Sequence, residues 1–213
     1  MSVRVNTQIT NFTRTDHQLQ EFALFSVLAA NSLSEGAVKS LRLFLEYCPT
    51  RRKKPFAKVE AVISSVQDWV SPPLREVMRQ AGIGKHGVKS RAFAGLAAAA
   101  RQGLDLRTCT RPDLMEIHGI GWKTASFFLL HSREDAYVAS LDVHILRWMR
   151  ENIPHRRGFI PKQTPTAAKY LTLEQLFLDF AWVQEMHPAE LDYEIWLAGN
   201  EKRPVRLKHV RAS

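Results

Sequence analysis

Lys123 and Asp142 stand 19 positions apart, and a Gly119-Ile120-Gly121-Trp122 turn runs straight into the lysine. An amine and a carboxylate so arranged can cut a base from its sugar. The amine attacks the sugar C1′ and forms a Schiff base. The carboxylate stabilises the positive charge that develops on the sugar as the base leaves, or helps deprotonate the amine. A Gly-x-Gly hairpin beside them suits a nucleic-acid backbone, because glycine permits a tight turn and the close approach of another chain. Amides at the start of the following helix point outward together, toward a phosphate oxygen.

Each residue also has a plainer reading. The hairpin can be an ordinary αα-turn closed by glycine, but Ile117 and Ile120, placed to lock two helices beneath the loop, and the basic charge favour nucleic-acid binding. Its DNA-contacting positions are then His118, Gly119, Gly121 and Thr124. Lys123 falls in a helical first turn, where the dipole disfavours an ammonium, and Trp122 with the apolar run from Ala125 to Leu130 predicts partial burial. Both favour a nucleophilic neutral amine; a lysine that simply pairs with a phosphate is the alternative. Asp142 before Val143-His144-Ile145-Leu146 is a good N-cap in its own right. His144 is a candidate phosphate contact, with a surface histidine as the equal alternative.

The elements that must position these groups read almost entirely as helix, so the expected fold is all-α. Thr15 and Gln18 make a capping box before a helix that is apolar nearly all round and therefore central. Ser32 and Glu35 repeat the device. Phe56, Val59, Val62, Ile63 and Val66 follow helical spacing, and Ser71-Pro72-Pro73 opens another helix that Gly82 to Gly87 close. An alanine-rich helix is expected over Lys89–Arg101, and Thr110-Arg111-Pro112-Asp113 caps the one that enters the hairpin. Beyond Asp142 come a helix, a loop with Pro154, Gly158 and Pro161, and two more helices, the last with Gly199 as its C-cap. Only Ala136-Tyr137-Val138-Ala139 alternates like a strand.

Composition narrows the partner. A net charge of +9 with pI near 9.8 favours a polyanion, since each neutralised phosphate releases condensed counterions. The first residues lack the apolar core of a signal peptide, and no apolar run has membrane-spanning length. Two cysteines, Cys48 and Cys109, cannot form a four-thiolate iron–sulfur site or a disulfide framework. A reducing compartment is expected, cytoplasmic (nucleoid-associated) or nuclear, with no membrane partner and no secretion.

The Lys123–Asp142 arrangement resembles the helix-hairpin-helix superfamily of DNA glycosylases. Five stretches fall in the order of its compact 8-oxoguanine glycosylase/lyase type: Leu28 to Gly36, Lys89 to Ala92, Gly119 to Ser126, Leu141 to Arg147, and Pro188 to Trp196. The resemblance implies an all-α fold of two packed helical subdomains with the active site in the cleft between them. It implies an N-terminal arm over 1–14, a glycosylase domain over 15–200 with its hairpin at 113–130, and a basic tail over 201–213. The implied activity is bifunctional. Lys123 matches the nucleophile that displaces the damaged base and then drives β-elimination, and Asp142 the essential carboxylate. Double-stranded DNA with a damaged base is the implied partner, its target nucleotide flipped out of the duplex by a monomeric enzyme. Asn31, Asp192 and Trp196 are candidates for the base pocket or its surroundings. No cofactor is required, although the backbone carbonyls of Met115, Ile117 and Ile120 match hairpin positions that hold Na⁺ or K⁺.

Two features depart from the pattern. No Gly or Pro lies between Lys123 and Asp142, where the superfamily has a Gly/Pro-rich loop. The compact type ends on a lysine soon after its Asp-x-x-x-Trp helix, whereas here a basic stretch from Lys202 to Arg211 continues. An endonuclease III-like enzyme for oxidised pyrimidines and a non-catalytic hairpin DNA-binding module stand as alternatives.

Overall fold

The computed structural model describes residues 9–29, 34–48, 54–64, 73–153 and 158–207. Among these residues there are ten helices and no strand. They are α1 (Asp16–Ala29), α2 (Ser34–Tyr47), α3 (Pro55–Ser64), α4 (Pro73–Gln80), α5 (His86–Arg101), α6 (Arg111–Met115), α7 (Trp122–Ser132), α8 (Val143–Asn152), α9 (Ala167–Val183) and α10 (Pro188–Glu201). The all-α expectation holds. Asn31, Ser32, Arg51 to Lys53, Val66, Ser71-Pro72, Pro154 and the basic stretch from Lys208 lie outside the described residues.

The chain divides into two compact units. The first comprises residues 13–128 and carries α1 to α6 with the first turns of α7; the second joins residues 9–12 to those from Leu129 onward.

In the first unit α1 is central because every residue from Glu21 to Leu28 is buried. It starts where its sequence dictates: Thr15 and Gln18 exchange hydrogen bonds, the Thr15 amide donating to Gln18 Oε1 at 2.9 Å. Phe22 stacks near Phe25 and near Phe127 and Phe128 of α7, with ring centroids 5.8–6.0 Å apart. The Arg14 guanidinium lies 3.8 Å over the same Phe22 ring, and burial brings its pKa down to about 10. Around α1 pack α2, α3 and α5, with α4 against α2, α3 and α5.

The second unit is built on α9. Trp148 of α8 meets Phe180 edge-on at 4.8 Å, with Phe177 at 6.5 Å, and α10 packs on both α8 and α9. Residues 9–12, expected as part of a terminal arm, are held here. The Asn11 amide donates to the His131 carbonyl at 3.1 Å, and Phe12 meets the His187 ring at 5.5 Å.

Three boundaries differ from expectation. Helix α5 begins at His86, three residues early, behind Lys85 in a left-handed conformation, so Gly87 lies inside it. Residues 136–139 make no strand: the Ala136 amide turns back onto the Arg133 carbonyl at 3.4 Å, and both backbone groups of Ala139 bond to side chains of α9. Gly199 is not a C-cap: α10 runs on to Glu201 and Lys202 takes the left-handed cap position. Beyond it, Arg203 forks onto Glu194 at 2.6 and 3.2 Å and Arg206 donates its amide to the same carboxylate, so the start of the basic tail is held against α10.

Candidate active site

The hairpin is assembled from both sides. Thr110 and Asp113 form a full capping box at the head of α6, the Thr110 amide donating to Asp113 Oδ2 at 2.7 Å. That bond holds the Asp113 carboxyl below its ordinary range. Arg111 then bridges α6 to α7. Its guanidinium lies 4.7 Å over the Trp122 ring and donates to the buried Ser126 hydroxyl at 3.1 Å. Ile117 and Ile120 are both buried, and the Ile120 amide closes the turn on the Ile117 carbonyl at 3.0 Å. The two isoleucines expected to lie beneath the loop are thus both buried, with Ile117 against Gly95 of α5.

The two hairpin glycines differ. Gly119 has φ of +91°, and a Cβ there would meet Cγ1 and the carbonyl oxygen of Val88 at 3.1 Å and Ala92 at 3.3 Å. It is glycine for the protein's own sake, since the turn is left-handed and α5 lies against it. A Cβ on Gly121 would meet nothing within 4 Å. Gly121 is exposed and leads directly into α7, whose first-turn amides have no acceptor within their own helix. His118 is exposed, whereas Thr124 is buried, so what Thr124 can offer to a phosphate is its backbone amide.

Lys123 occupies the second position of α7, half-buried, with Nζ 5.2 Å over the Phe127 ring. The partial burial expected from its apolar neighbours is present. Lys89 of α5 is buried and donates to the carbonyl of Leu28 at 3.3 Å, in the last turn of α1. Burial first, and the nearby Lys85 second, push its pKa down.

In the second unit Asp142 is the N-cap of α8. Its Oδ1 accepts the amides of His144 at 2.8 Å and Ile145 at 3.0 Å. Its other oxygen, Oδ2, meets no donor among the described residues. His144, half-buried on the same first turn, has Nδ1 3.4 Å from Arg147. Gly199 of α10 comes close to both, for a Cβ there would stand 3.6 Å from Arg147 and 3.7 Å from His144 Nδ1.

What holds Asp142 in place is not in any motif. The Tyr170 hydroxyl donates to the Ala139 carbonyl at 2.8 Å and accepts the Leu141 amide at 3.1 Å. Glu174, one turn further along α9, accepts the Ala139 amide at 2.8 Å. These two side chains fix a segment that has neither glycine nor proline to stiffen it. Their spacing of four on a helix was visible in the sequence, but nothing there pointed to residues 139–141 as their partners.

The remaining candidates fall on α10. Asp192 is buried, with Oδ2 3.2 Å from His131 Nε2, while His131 Nδ1 is 2.8 Å from the Thr10 hydroxyl. Trp196 is half-buried and stacks on Tyr193 at 5.9 Å. The structure therefore groups His118, Gly119, Gly121, Lys123 and Thr124 on one hairpin, Asp142 and His144 on one helical turn, and Asp192 and Trp196 on one helix.

The hairpin carbonyls keep acceptor capacity beyond the turn's own hydrogen bond. Ile117 already accepts one amide and retains a second lone pair, and among the described residues no amide reaches the carbonyls of Met115 or Ile120.

No family model matches the sequence. It is 41% identical over 80 residues to the 8-oxoguanine DNA glycosylase/AP lyase of Methanocaldococcus jannaschii, an alignment covering 38% of this chain and 37% of that relative. Solved structures agree over a much longer span. The 8-oxoguanine DNA glycosylase of Thermotoga maritima superposes with a TM-score of 0.62 at 24% identity, over 90% of this chain and 83% of that one. The M. jannaschii glycosylase gives 0.65 at 20% identity over 93% and 86%. Its complex with a 15mer DNA containing 8-oxoguanine gives 0.63 at 23% identity over 93% and 88%. The chain thus has the fold of these 8-oxoguanine DNA glycosylases. Over 80 residues its sequence is also similar to one of them, in line with the order of its motifs.

Proposed function

We propose that the protein is a DNA glycosylase with AP lyase activity that removes an oxidised base, 8-oxoguanine, from duplex DNA. The observation that carries this reading is the hairpin. Gly121 is open to another backbone, and the next turn presents a half-buried lysine, on a fold shared with enzymes that excise 8-oxoguanine. In the proposed reaction Lys123 Nζ bonds to C1′ as the N-glycosidic bond breaks, and the base departs with the bonding electrons and gains a proton. Opening of the sugar ring gives an iminium between Nζ and C1′. Loss of a C2′ proton then expels the 3′-phosphate by β-elimination. Asp142, through its unoccupied Oδ2, stabilises the cationic sugar or takes up a proton. The enzyme acts as a monomer on one duplex, and the carbonyls of Met115, Ile117 and Ile120 hold Na⁺ or K⁺ to stiffen the hairpin.

Borohydride trapping tests this directly. Wild type and Lys123→Gln are incubated with duplexes bearing 8-oxoguanine, an oxidised pyrimidine, a plain abasic site or no damage. A covalent adduct with the 8-oxoguanine duplex, absent in the variant, is expected. An adduct with the oxidised pyrimidine alone moves the specificity to the endonuclease III-like class. Duplex binding without any adduct replaces the lyase with a monofunctional glycosylase or a binding module.

A further inference from the structure

One face of the second unit reverses the sign of the molecule. A groove of about 690 Å³ runs along the end of α9 and into the start of α10. Two aromatic residues stand in its wall almost wholly in water, Trp182 at 81% exposure and Tyr137 at 67%. The charged residues of the wall are Asp179 and Glu185; among the described residues that line it there is no lysine or arginine. Glu134 and Asp135, both exposed, precede Tyr137 in the chain and outnumber the half-buried Arg133 before them. On a chain with a net charge of +9 this is a local surplus of carboxylates around bare aromatic faces.

Glu185 makes the point sharper. It follows the C-cap of α9 in a left-handed conformation, φ +51°, with its amide on the Trp182 carbonyl at 2.9 Å and the Met186 amide on Ala181 at 3.0 Å. That closing motif favours glycine, and the carbonyl end of a helix favours a cation. A carboxylate here is opposed by both backbone and dipole, and it adds negative charge to the wall of the groove. Tyr137 is likewise set in place. Its ring meets His187 edge-on at 5.5 Å, and His187 is fixed by donating Nε2–H to the Glu134 carbonyl at 2.9 Å while Nδ1 accepts the Ala189 amide.

Exposed aromatic faces attract cations through their quadrupoles, tryptophan best of all, and flanking carboxylates add to the attraction. We propose that this groove docks a cationic segment of a partner protein, its arginine or lysine heads stacking on Trp182 and Tyr137 and pairing with Asp179 and Glu185. The same charges turn a polyanion away, which separates this face from any nucleic-acid surface.

Calorimetric titration of the full-length protein with a short arginine–glycine peptide tests the assignment. Saturable one-to-one binding is expected, weakening with added salt. Affinity should fall about tenfold in Trp182→Ala and about threefold in Asp179→Asn or Glu185→Gln. A glutamate–glycine peptide should not bind. Trp182 is exposed, so its truncation should leave the circular dichroism and melting temperature unchanged. Absence of saturable binding, or equal affinity in a folded Trp182→Ala protein, overturns the proposal. So does self-association that Trp182→Ala abolishes, which would make the occupant a second copy of this chain.

Discussion

Gly95 in α5 and Ile117 in the hairpin approach so closely that a Cβ on Gly95 would stand 2.6 Å from Ile117 Cγ2. Real Cβ atoms do not come that near a neighbour, and a β-branched methyl next to the backbone cannot swing aside. Alanine at 95 should gain about 1 kcal/mol of helix propensity but lose about 1–3 kcal/mol to overpacking. Gly95→Ala should therefore melt below wild type and bind duplex DNA more weakly, because the hairpin must shift. Ile117→Ala removes the offending methyl, so the pair should be strongly non-additive in a double-mutant cycle. A Gly95→Ala protein more stable than wild type would show that the hairpin does not depend on this contact.

The two hairpin glycines should separate stability from binding. Gly119→Ala forces a side chain into a left-handed turn, at about 1–2 kcal/mol, and against the Val88 carbonyl 3.1 Å away. It should melt lower. Gly121→Ala places its methyl in open space, so thermal stability should stay near wild type while duplex affinity falls, measured by anisotropy at fixed salt. Equal binding in Gly121→Ala and wild type would remove the hairpin from the DNA interface.

Much of this was written locally. The capping boxes at Thr15 and Thr110 and the N-cap at Asp142 depend on residues within one turn of each other, and all three form as their patterns dictate. Gly-x-Gly followed by lysine was legible for the same reason. The roles of Tyr170 and Glu174 were not, because their bonds reach back about thirty residues to backbone groups that carry no sequence signature. Gly199 was misjudged because a glycine near a helix end looks like a cap, whereas α10 runs two residues past it and Lys202 takes the cap position. Asp192 and His131 pair over 61 positions, again beyond the reach of periodicity.

Cys48 should be chemically silent until the chain unfolds. Its thiol is buried at the end of α2, donating to the Phe44 carbonyl at 3.2 Å. Burial lifts its pKa from 9.0 to about 11, against a smaller opposing pull from Lys58. The folded state thus holds its proton more tightly than the unfolded chain. Stability linked to this group is complete below pH 9.0 and is lost as pH rises toward about 11, because the unfolded thiol ionises first. Denaturant midpoints should fall over that window in wild type and fall less in Cys48→Ala. Rapid labelling of Cys48 by a thiol reagent in the native protein at neutral pH would contradict the burial.

The cap that Asp142 makes and the role proposed for it in the reaction can be pulled apart by substitution. Oδ1 caps α8 through two amides, and the proposed reaction uses Oδ2. Asparagine caps as well as aspartate, so Asp142→Asn should keep the melting temperature near wild type, while Asp142→Ala should lose about 1 kcal/mol. Neither variant has a negative charge to set against a cationic sugar or a base to accept a proton. Both should lose base excision by about 10²–10⁴-fold, followed on an 8-oxoguanine duplex under single-turnover conditions. The pattern to look for is two variants alike in rate and unlike in stability. Wild-type excision by Asp142→Asn would reduce the aspartate to a helix cap, since an amide in the same place satisfies the α8 amides but cannot supply the charge.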